Sequence, residues 1–87
     1  MAARNLVYQV NPVYPPLARA AGVQDFVLTQ AVIAKDGTVQ SVQVIRGHPL
    51  LNDAATAAVK QWRYKPLALN GQTVEAITTV TVNFSLQ

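Results

Sequence analysis

The sequence predicts an α+β fold with a three-stranded antiparallel-type sheet, made of a hairpin and a long C-terminal edge strand. A short N-terminal helix and one longer helix are expected, the longer one packed on one face of the sheet. Three observations predict this fold: two β-branched runs flank Asp36-Gly37, an apolar stripe at helical spacing follows Gly47, and apolar and polar residues alternate from Thr73 to the end.

The composition is that of a folded globular chain, with 51 % hydrophobic and 13 % charged residues. Its 87 residues are enough for one domain with a thin core. We predict a single domain over 1–87, with its core at about 9–86 and with 1–8 as an N-terminal extension, the remnant of a linker. The start of the sequence lacks the apolar stretch of a signal peptide, which leaves a cytosolic protein or a fragment of a longer one.

The first element is a helix of no more than two turns. The Tyr14-Pro15-Pro16 step forces an extended backbone, and Pro16 suits a first helical position. The following residues are good helix formers, and Gly22 permits a left-handed stop.

The next two elements are strands around the turn dipeptide Asp36-Gly37. Period two puts alternate residues of the first strand on one face (Val27, Thr29, Ala31, Ile33) and the others on the opposite face (Phe26, Leu28, Gln30, Val32, Ala34). In the second strand Val39 is out of phase with Val42 and Val44, which indicates a bulge near Gln40.

A longer helix follows, and its apolar stripe consists of Leu51, Ala55, Ala58, Val59 and Trp62. Asn52 or Asp53 is expected to cap its first amides. Trp62 then closes the buried stripe, and Tyr64 continues the same packing. We therefore assign both aromatic residues a structural role, and a stacking surface for nucleic acid is the weaker alternative.

The last elements are a turn at Asn70-Gly71 and a strand of about fourteen residues. Asn-Gly is the strongest short hairpin signal, so Gly71, like Gly37, is predicted to be structural. We expect the first hairpin strand in the middle of the sheet and the final strand antiparallel to it at an edge.

Residues with catalytic or metal-binding chemistry are scattered. The chain has no cysteine, and its single histidine, His48, precedes Pro49 near the start of a helix. The four acidic residues fall in separate contexts: Asp25, Asp36, Asp53 and Glu75. We therefore predict no enzyme activity, no metal site, no cofactor and no nucleic-acid partner.

The predicted edge strand is the feature that requires a partner. An unprotected edge exposes unpaired amides and carbonyls, and only Glu75 adds a charge to it. Two interpretations remain open: the edge pairs with a second copy of the chain, or it receives an extended peptide by β-augmentation.

Together these landmarks resemble the C-terminal domain of TonB and TonB-family energy transducers. The resemblance rests on "NPVYPPLARAAGVQ", "KDGTVQSVQVI", "GHPLLNDAATAAVKQWRYKP", "LNGQTVE" and "TTVTVNFSL", and it covers residues 9 to 86. It implies a periplasmic, non-enzymatic domain of a protein anchored in the inner membrane of a Gram-negative-type envelope. The implied partners are the ExbB/ExbD-type motor, through a missing N-terminal part, and the TonB box of TonB-dependent outer-membrane receptors.

The resemblance also implies which residues bind the partner. The last strand would receive the TonB box, which assigns that role to Ile77, Thr78, Thr79, Val80, Thr81, Val82, Asn83 and Phe84. The segment at the Tyr-Pro step would contribute Asn11, Pro12, Val13 and Tyr14. The alternative function is a structural domain of an envelope protein that forms a homodimer through the same edge.

This chain departs from the family pattern at two places. Asn11 and Val13 stand where TonB carries glutamines. Asp25-Phe26 stands where the family commonly has glycine and a small or polar residue, so we expect a backbone cost at Asp25 and a Phe26 side chain that needs cover.

Overall fold

The computed structural model describes residues 6–86, which form seven strands and two helices. In chain order these are β1 (Leu6–Tyr8), α1 (Pro16–Ala20), β2 (Asp25–Ile33), β3 (Val39–Arg46), α2 (Asn52–Lys60), β4 (Arg63–Tyr64), β5 (Leu67–Leu69), β6 (Gln72–Val74) and β7 (Ala76–Phe84). Neither helix of this part of the chain is long and apolar enough to cross a membrane.

The main sheet has the order β3-β2-β7, with β2 antiparallel to both neighbours. This confirms the predicted α+β fold, with the first hairpin strand in the middle and the C-terminal strand at an edge. β7 pairs with β2 without interruption, from Asp25 opposite Phe84 to Ile33 opposite Ala76. Two small antiparallel ribbons, β1–β4 and β5–β6, accompany the main sheet.

The β2–β3 pairing contains the predicted bulge. Val32 lies opposite Ser41 and Ile33 opposite Val39, so Gln40 has no counterpart on β2. The extra residue explains why Val39 is out of phase with the later valines of β3.

The core lies between one face of the sheet and α2. β2 turns Val27, Thr29, Ala31 and Ile33 inward, as period two predicts, and β7 turns Thr78, Val80, Val82 and Phe84 to the same side. The helical side covers them with Leu51, Ala55, Ala58 and Val59, in and just before α2. Ala18 of α1, Trp62, and Tyr64 of β4 complete the core. The opposite face of the sheet carries exposed Phe26, Ile45 and Ile77.

The predicted fourteen-residue strand is shorter in the structure. Glu75 separates β6 from β7, which has nine residues. The two segments have different partners, since β6 pairs with β5 and β7 pairs with β2. The alternation of apolar and polar residues continues across Glu75, and for this reason it concealed the break.

The predicted side-chain cap of α2 is wrong. Leu51 occupies the N-cap position, and no side chain caps the helix. Asn52 Oδ1 instead accepts the amide N–H of His48 at 2.9 Å, and His48 Nδ1 accepts the amide N–H of Leu50 at 3.0 Å. These two side chains fix the loop that precedes the helix.

The backbone cost expected at Asp25 is absent. Among the described residues Asn70 is the only non-glycine residue with a positive φ. Asp25 lies in regular β2, and its Oδ1 accepts the amide N–H of Phe26 at 2.8 Å. The Phe26 side chain lies at the open face of the sheet and is 39 % exposed.

Candidate functional site

The outer edge of β7, which pairs with no other strand of residues 6–86, is the candidate site and is called the free edge below. The direction of its backbone groups follows from one hydrogen bond. Thr29 Oγ1 donates to the carbonyl oxygen of Val80 at 3.0 Å, so this carbonyl is directed at β2. Backbone groups of successive residues point to opposite edges of an antiparallel strand. The amides and carbonyls of the odd-numbered residues therefore face away from β2: Ile77, Thr79, Thr81 and Asn83.

The side chains of β7 alternate between the two faces of the sheet. The even-numbered residues are buried in the core from Thr78 to Phe84, and the odd-numbered residues are exposed, with Ile77 at 62 %. Of the eight β7 residues assigned to partner binding, the buried even-numbered ones direct their backbone groups at β2, so the odd-numbered ones supply the hydrogen-bonding groups of the outer edge. An added strand would therefore be recognised first by hydrogen bonds to the backbone of Thr79 and Thr81.

A groove of about 230 Å³ runs beside this edge. One wall is the middle of β7. The other consists of residues of the β1–β4 ribbon and Trp62, which follows α2. Its lining residues are Leu6, Gln9, Trp62, Tyr64, Thr78, Thr79, Val80 and Thr81. None of these lining residues, all from the described part of the chain, carries a charge.

Trp62 and Tyr64, assigned structural roles, form the inner part of this groove. Trp62 Nε1 donates to the carbonyl oxygen of Val10 at 2.9 Å, which attaches the N-terminal segment to the end of α2. The Tyr64 amide donates to the carbonyl oxygen of Gly37 at 2.8 Å. Burial raises the pKa of the Tyr64 phenol, which therefore stays neutral and can act as a hydrogen-bond donor at physiological pH.

Tyr14 belongs to the packing of the domain. Its hydroxyl donates to the carbonyl oxygen of Val23, and its ring meets the Phe84 ring edge-on with centroids 5.5 Å apart. The Arg19 guanidinium lies 4.9 Å from the centre of the same ring. Tyr14 thus attaches the segment before α1 to the C-terminal end of β7, where it serves as an anchor.

Asn11, Pro12 and Val13 lie between the two attachment points at Val10 and Tyr14. Asn11 is exposed, Pro12 is half-buried, and Val13 is 80 % exposed. They do not line the groove, and their predicted role as partner-binding residues remains a prediction.

Sequence analysis missed Leu6, Gln9 and Val10. Part of the predicted extension, Leu6–Tyr8, forms β1 and pairs with β4, where Leu6 lies opposite Tyr64. Residues 1–5 of that extension lie outside the described residues. The one available signal was the indole N–H of Trp62, because a buried tryptophan needs an acceptor; the sequence did not show which carbonyl provides it.

Among the described residues, no group of three or more His, Cys, Asp or Glu side chains could hold a metal ion. Arg63 Nη1 donates to the carbonyl oxygen of its neighbour Trp62 at 2.8 Å. Arg63 and Lys65 are exposed on either side of buried Tyr64. The site can therefore offer hydrogen bonds and apolar contact to a strand.

Comparison with known proteins gives the family. Residues 10–86 match the model of the Gram-negative bacterial TonB protein C-terminal region. The chain belongs to the TonB C-terminal domain family. This confirms the resemblance drawn from the sequence.

Individual relatives agree with this assignment. The chain is 35 % identical over 77 residues to Protein TonB of Xanthomonas campestris pv. campestris (strain B100), an alignment that covers 86 % of this chain and 34 % of that protein. It is 30 % identical over 81 residues to Protein TonB of Vibrio cholerae, covering 91 % of this chain and 33 % of that protein. The chain thus spans about a third of the length of these curated relatives.

A solved structure has the same fold. The solution NMR structure of the TonB CTD of Pseudomonas aeruginosa superposes with a TM-score of 0.77 at 26 % sequence identity. The superposition covers 94 % of this chain and 85 % of that chain. The overall fold of this TonB C-terminal domain is therefore one seen experimentally.

Proposed function

We propose that this TonB C-terminal domain is the periplasmic receptor-binding part of an energy transducer. In this proposal the edge of β7 takes up the TonB box of an outer-membrane receptor as an added strand and transmits force for substrate uptake. The observation that carries the proposal is the free edge at Thr79 and Thr81, whose backbone groups face away from β2. The ExbB/ExbD-type motor would act through an inner-membrane anchor in a part of the protein outside this chain.

Backbone recognition suits such a partner. Hydrogen bonds to amides and carbonyls do not depend on the partner's side chains, so one edge can accept related segments from several receptors. The same edge is accessible from the open face of the sheet, where the side chains of Thr79 and Thr81 are exposed.

The position of β7 also suits the transmission of force. A partner strand would be parallel or antiparallel to β7, and a pull along the strands would load several hydrogen bonds together. β7 is itself paired with β2 at nine successive positions, which carries the load to the middle of the sheet. The Tyr14–Phe84 contact adds a second attachment at the C-terminal end of the strand.

The proposal is tested by removing one outward amide at a time. Thr79→Pro and Thr81→Pro each delete an N–H that faces the free edge, while the β2–β7 hydrogen bonds of the even-numbered residues remain. We expect both variants to fold and to lose binding of a synthetic TonB-box peptide from a receptor encoded in the same genome. The measurement is an amide chemical-shift titration of 15N-labelled protein.

Thr79→Val is the matched control, because it keeps the amide and the β-branched shape and removes the hydroxyl. It should bind the peptide as the parent does. If residues 77–84 of the parent show no shift changes on addition of the peptide, or if the proline variants bind normally, the proposal is wrong.

A structural or dimerising role in the envelope is the second candidate function, and it uses the same observation. The free β7 edge could pair with the β7 edge of a second copy. Small-angle scattering at several concentrations distinguishes the two: a monomer at all concentrations favours the receptor-binding role, and a concentration-dependent dimer favours the alternative.

A further inference from the structure

The β5–β6 ribbon carries exposed leucines away from the core of the domain. Its two strands pair from Leu67 opposite Val74 to Leu69 opposite Gln72. Among the described residues its extensive contacts are those between its own strands, and the molecule is elongated, with extents of 49 × 21 × 16 Å. Leu67 is 41 % exposed and Leu69 is 63 % exposed. Contact with an external apolar phase would therefore remove apolar surface of the ribbon from water.

The two leucines belong to one face of the ribbon. Side chains alternate along a strand, and residues level with each other on neighbouring strands share a face. The face that follows from this pairing, called the leucine face below, consists of Leu67, Leu69, Gln72 and half-buried Val74. No residue from Leu67 to Val74 is charged. The ribbon thus presents three aliphatic side chains on one side.

Two lysines lie at the base of the ribbon. Lys65 is exposed and precedes Leu67 by two residues. Lys35 is exposed in the β2–β3 turn, and this turn meets the base of the ribbon, because a Cβ built on Gly37 would lie 3.5 Å from Pro66 Cδ. Both lysines therefore put positive charge at the end of the domain that carries the leucine face.

The acidic residues at the same end do not cancel this charge. The pKa of the Asp36 carboxyl group is lowered mainly by its hydrogen bond from the Thr38 hydroxyl and to a smaller extent by nearby Arg63, so Arg63 offsets the charge of Asp36. Glu75 follows Val74, and the alternation of side chains places it on the side opposite the leucine face. The charges of the two lysines are thus balanced only by a glutamate that faces the other way.

The size of the leucine face decides which partner fits it. Strands of three residues are about 10 Å long, and two of them are about 10 Å wide, so the face offers roughly 100 Å². A stable protein–protein interface needs about 800 Å² from each partner. A lipid surface has no such minimum, because apolar side chains enter the acyl boundary one by one while lysines attract anionic headgroups.

We infer that the leucine face of the β5–β6 ribbon attaches the domain to an anionic lipid surface. The ribbon lies flat at the interface, with its aliphatic side chains at the acyl boundary and with Lys35 and Lys65 at the level of the headgroups. Its unpaired edge groups then stay in contact with headgroups and water, as an interfacial position requires. The attachment is reversible, since only three aliphatic side chains and two lysines contribute. It does not depend on peptide binding by β7.

Vesicle binding tests this inference. The probes are vesicles of phosphatidylcholine mixed with phosphatidylglycerol, and vesicles of phosphatidylcholine alone. Co-sedimentation at low ionic strength should show binding to the anionic vesicles, and added salt should weaken it. Binding to phosphatidylcholine alone should be weaker. In amide spectra of 15N-labelled protein, line broadening by anionic vesicles should be concentrated in residues 65–74 and in the β2–β3 turn, and should be small in α1.

Two double substitutions separate the apolar contribution from the electrostatic one. Leu67→Ser combined with Leu69→Ser should lower partition into anionic vesicles roughly tenfold, because two partly buried leucines are lost from the acyl boundary. Lys35→Ser combined with Lys65→Ser should remove most of the preference for phosphatidylglycerol.

Matched controls are an exposed leucine and an exposed cation elsewhere. Leu17 of α1 is 72 % exposed, and Arg46 of β3 is also exposed. Leu17→Ser and Arg46→Ser should bind both kinds of vesicle as the parent does. The amide spectrum of each variant shows whether it is folded.

Three outcomes would overturn the inference. The first is a parent protein that does not bind anionic vesicles at low ionic strength, or that binds them with broadening centred outside the ribbon. The second is a folded double leucine variant that binds as the parent does, or a Leu17→Ser variant that loses as much. The third is a concentration-dependent dimer of the parent that the leucine substitutions abolish, which would make a second copy of the chain the occupant of the leucine face. If the double leucine variant fails to fold, the site of broadening in the parent and the Leu69→Ser single variant decide.

Discussion

The two glycine turns of this domain have similar sequences and different surroundings. Asp36-Gly37 connects β2 to β3, and Asn70-Gly71 connects β5 to β6. Gly37 has φ 91°, and a Cβ built on it would lie 2.0 Å from the carbonyl oxygen of Tyr64. Gly71 has φ 81°, and the same added atom would meet nothing within 4 Å.

The difference shows that a turn dipeptide predicts local geometry but not what the turn contributes to the fold. The β2–β3 turn is packed against β4, because the Tyr64 amide donates to the Gly37 carbonyl oxygen at 2.8 Å and Arg63 pairs with Thr38 in an isolated bridge. The β5–β6 ribbon pairs mainly with itself, and residues 65–73 are all exposed. The first turn should therefore limit global stability, and the second should limit only local order.

Gly37→Ala should have the largest effect. An alanine at this position meets both an unfavourable positive φ and the Tyr64 carbonyl, and we expect a loss of about 3 kcal/mol in the free energy of unfolding. Urea denaturation followed by tryptophan fluorescence measures this loss, since Trp62 lies two residues from Tyr64. A variant as stable as the parent would show that the β2–β3 turn is not packed against β4.

Gly71→Ala provides the matched substitution in the other turn. The positive φ remains unfavourable but no atom is displaced, so the expected cost is about 1 kcal/mol and confined to the ribbon. Hydrogen exchange should become faster for amides of β5 and β6, whereas exchange in β2 and the urea midpoint should stay close to those of the parent. An equal loss of global stability in both glycine variants would contradict the distinction between the two turns.

The two turns also differ in how well the sequence predicted their geometry. Asn70 and Gly71 both have positive φ, as expected for a two-residue turn of type I′. In the β2–β3 turn the Gly37 amide donates to the Ala34 carbonyl oxygen, so Lys35 and Asp36 are the central residues and Gly37 follows them. The dipeptide located this turn correctly but suggested too short a loop.

In the rest of the fold and in the site, sequence patterns likewise predicted local geometry but not contacts between short segments far apart in sequence. Period two in β2 and β7 and the helical stripe of α2 predicted the main core, because burial on one face imposes that spacing. The pairing of Leu6 with Tyr64 was not predictable, since it joins short strands far apart in sequence. The edge of β7 was therefore identified from the sequence, but the groove beside it required the structure.

The smallest predicted effect concerns the titration of Asp36, which distinguishes the two turns without a mutation. The Thr38 hydroxyl donates to Asp36 Oδ1 at 2.7 Å and the Thr38 amide at 3.0 Å. The Thr38 hydroxyl bond lowers the pKa of this carboxyl group most, the Thr38 amide bond lowers it further, and nearby Arg63 contributes in the same direction. Because the pKa is lower in the folded than in the unfolded protein, the stabilisation is present above the unfolded pKa of about 4 and is lost as the pH falls through the folded value.

An NMR titration measures this shift. The Thr38 amide should shift with a midpoint below that of an unfolded aspartate. The Gln72 amide of the other turn, with no titratable neighbour in its hairpin loop, should not follow that transition. A Thr38 midpoint at or above the ordinary value would mean that the Asp36–Thr38 hydrogen bonds do not form in solution, and Thr38→Val, which removes the hydroxyl donor, should raise the Asp36 pKa towards that ordinary value.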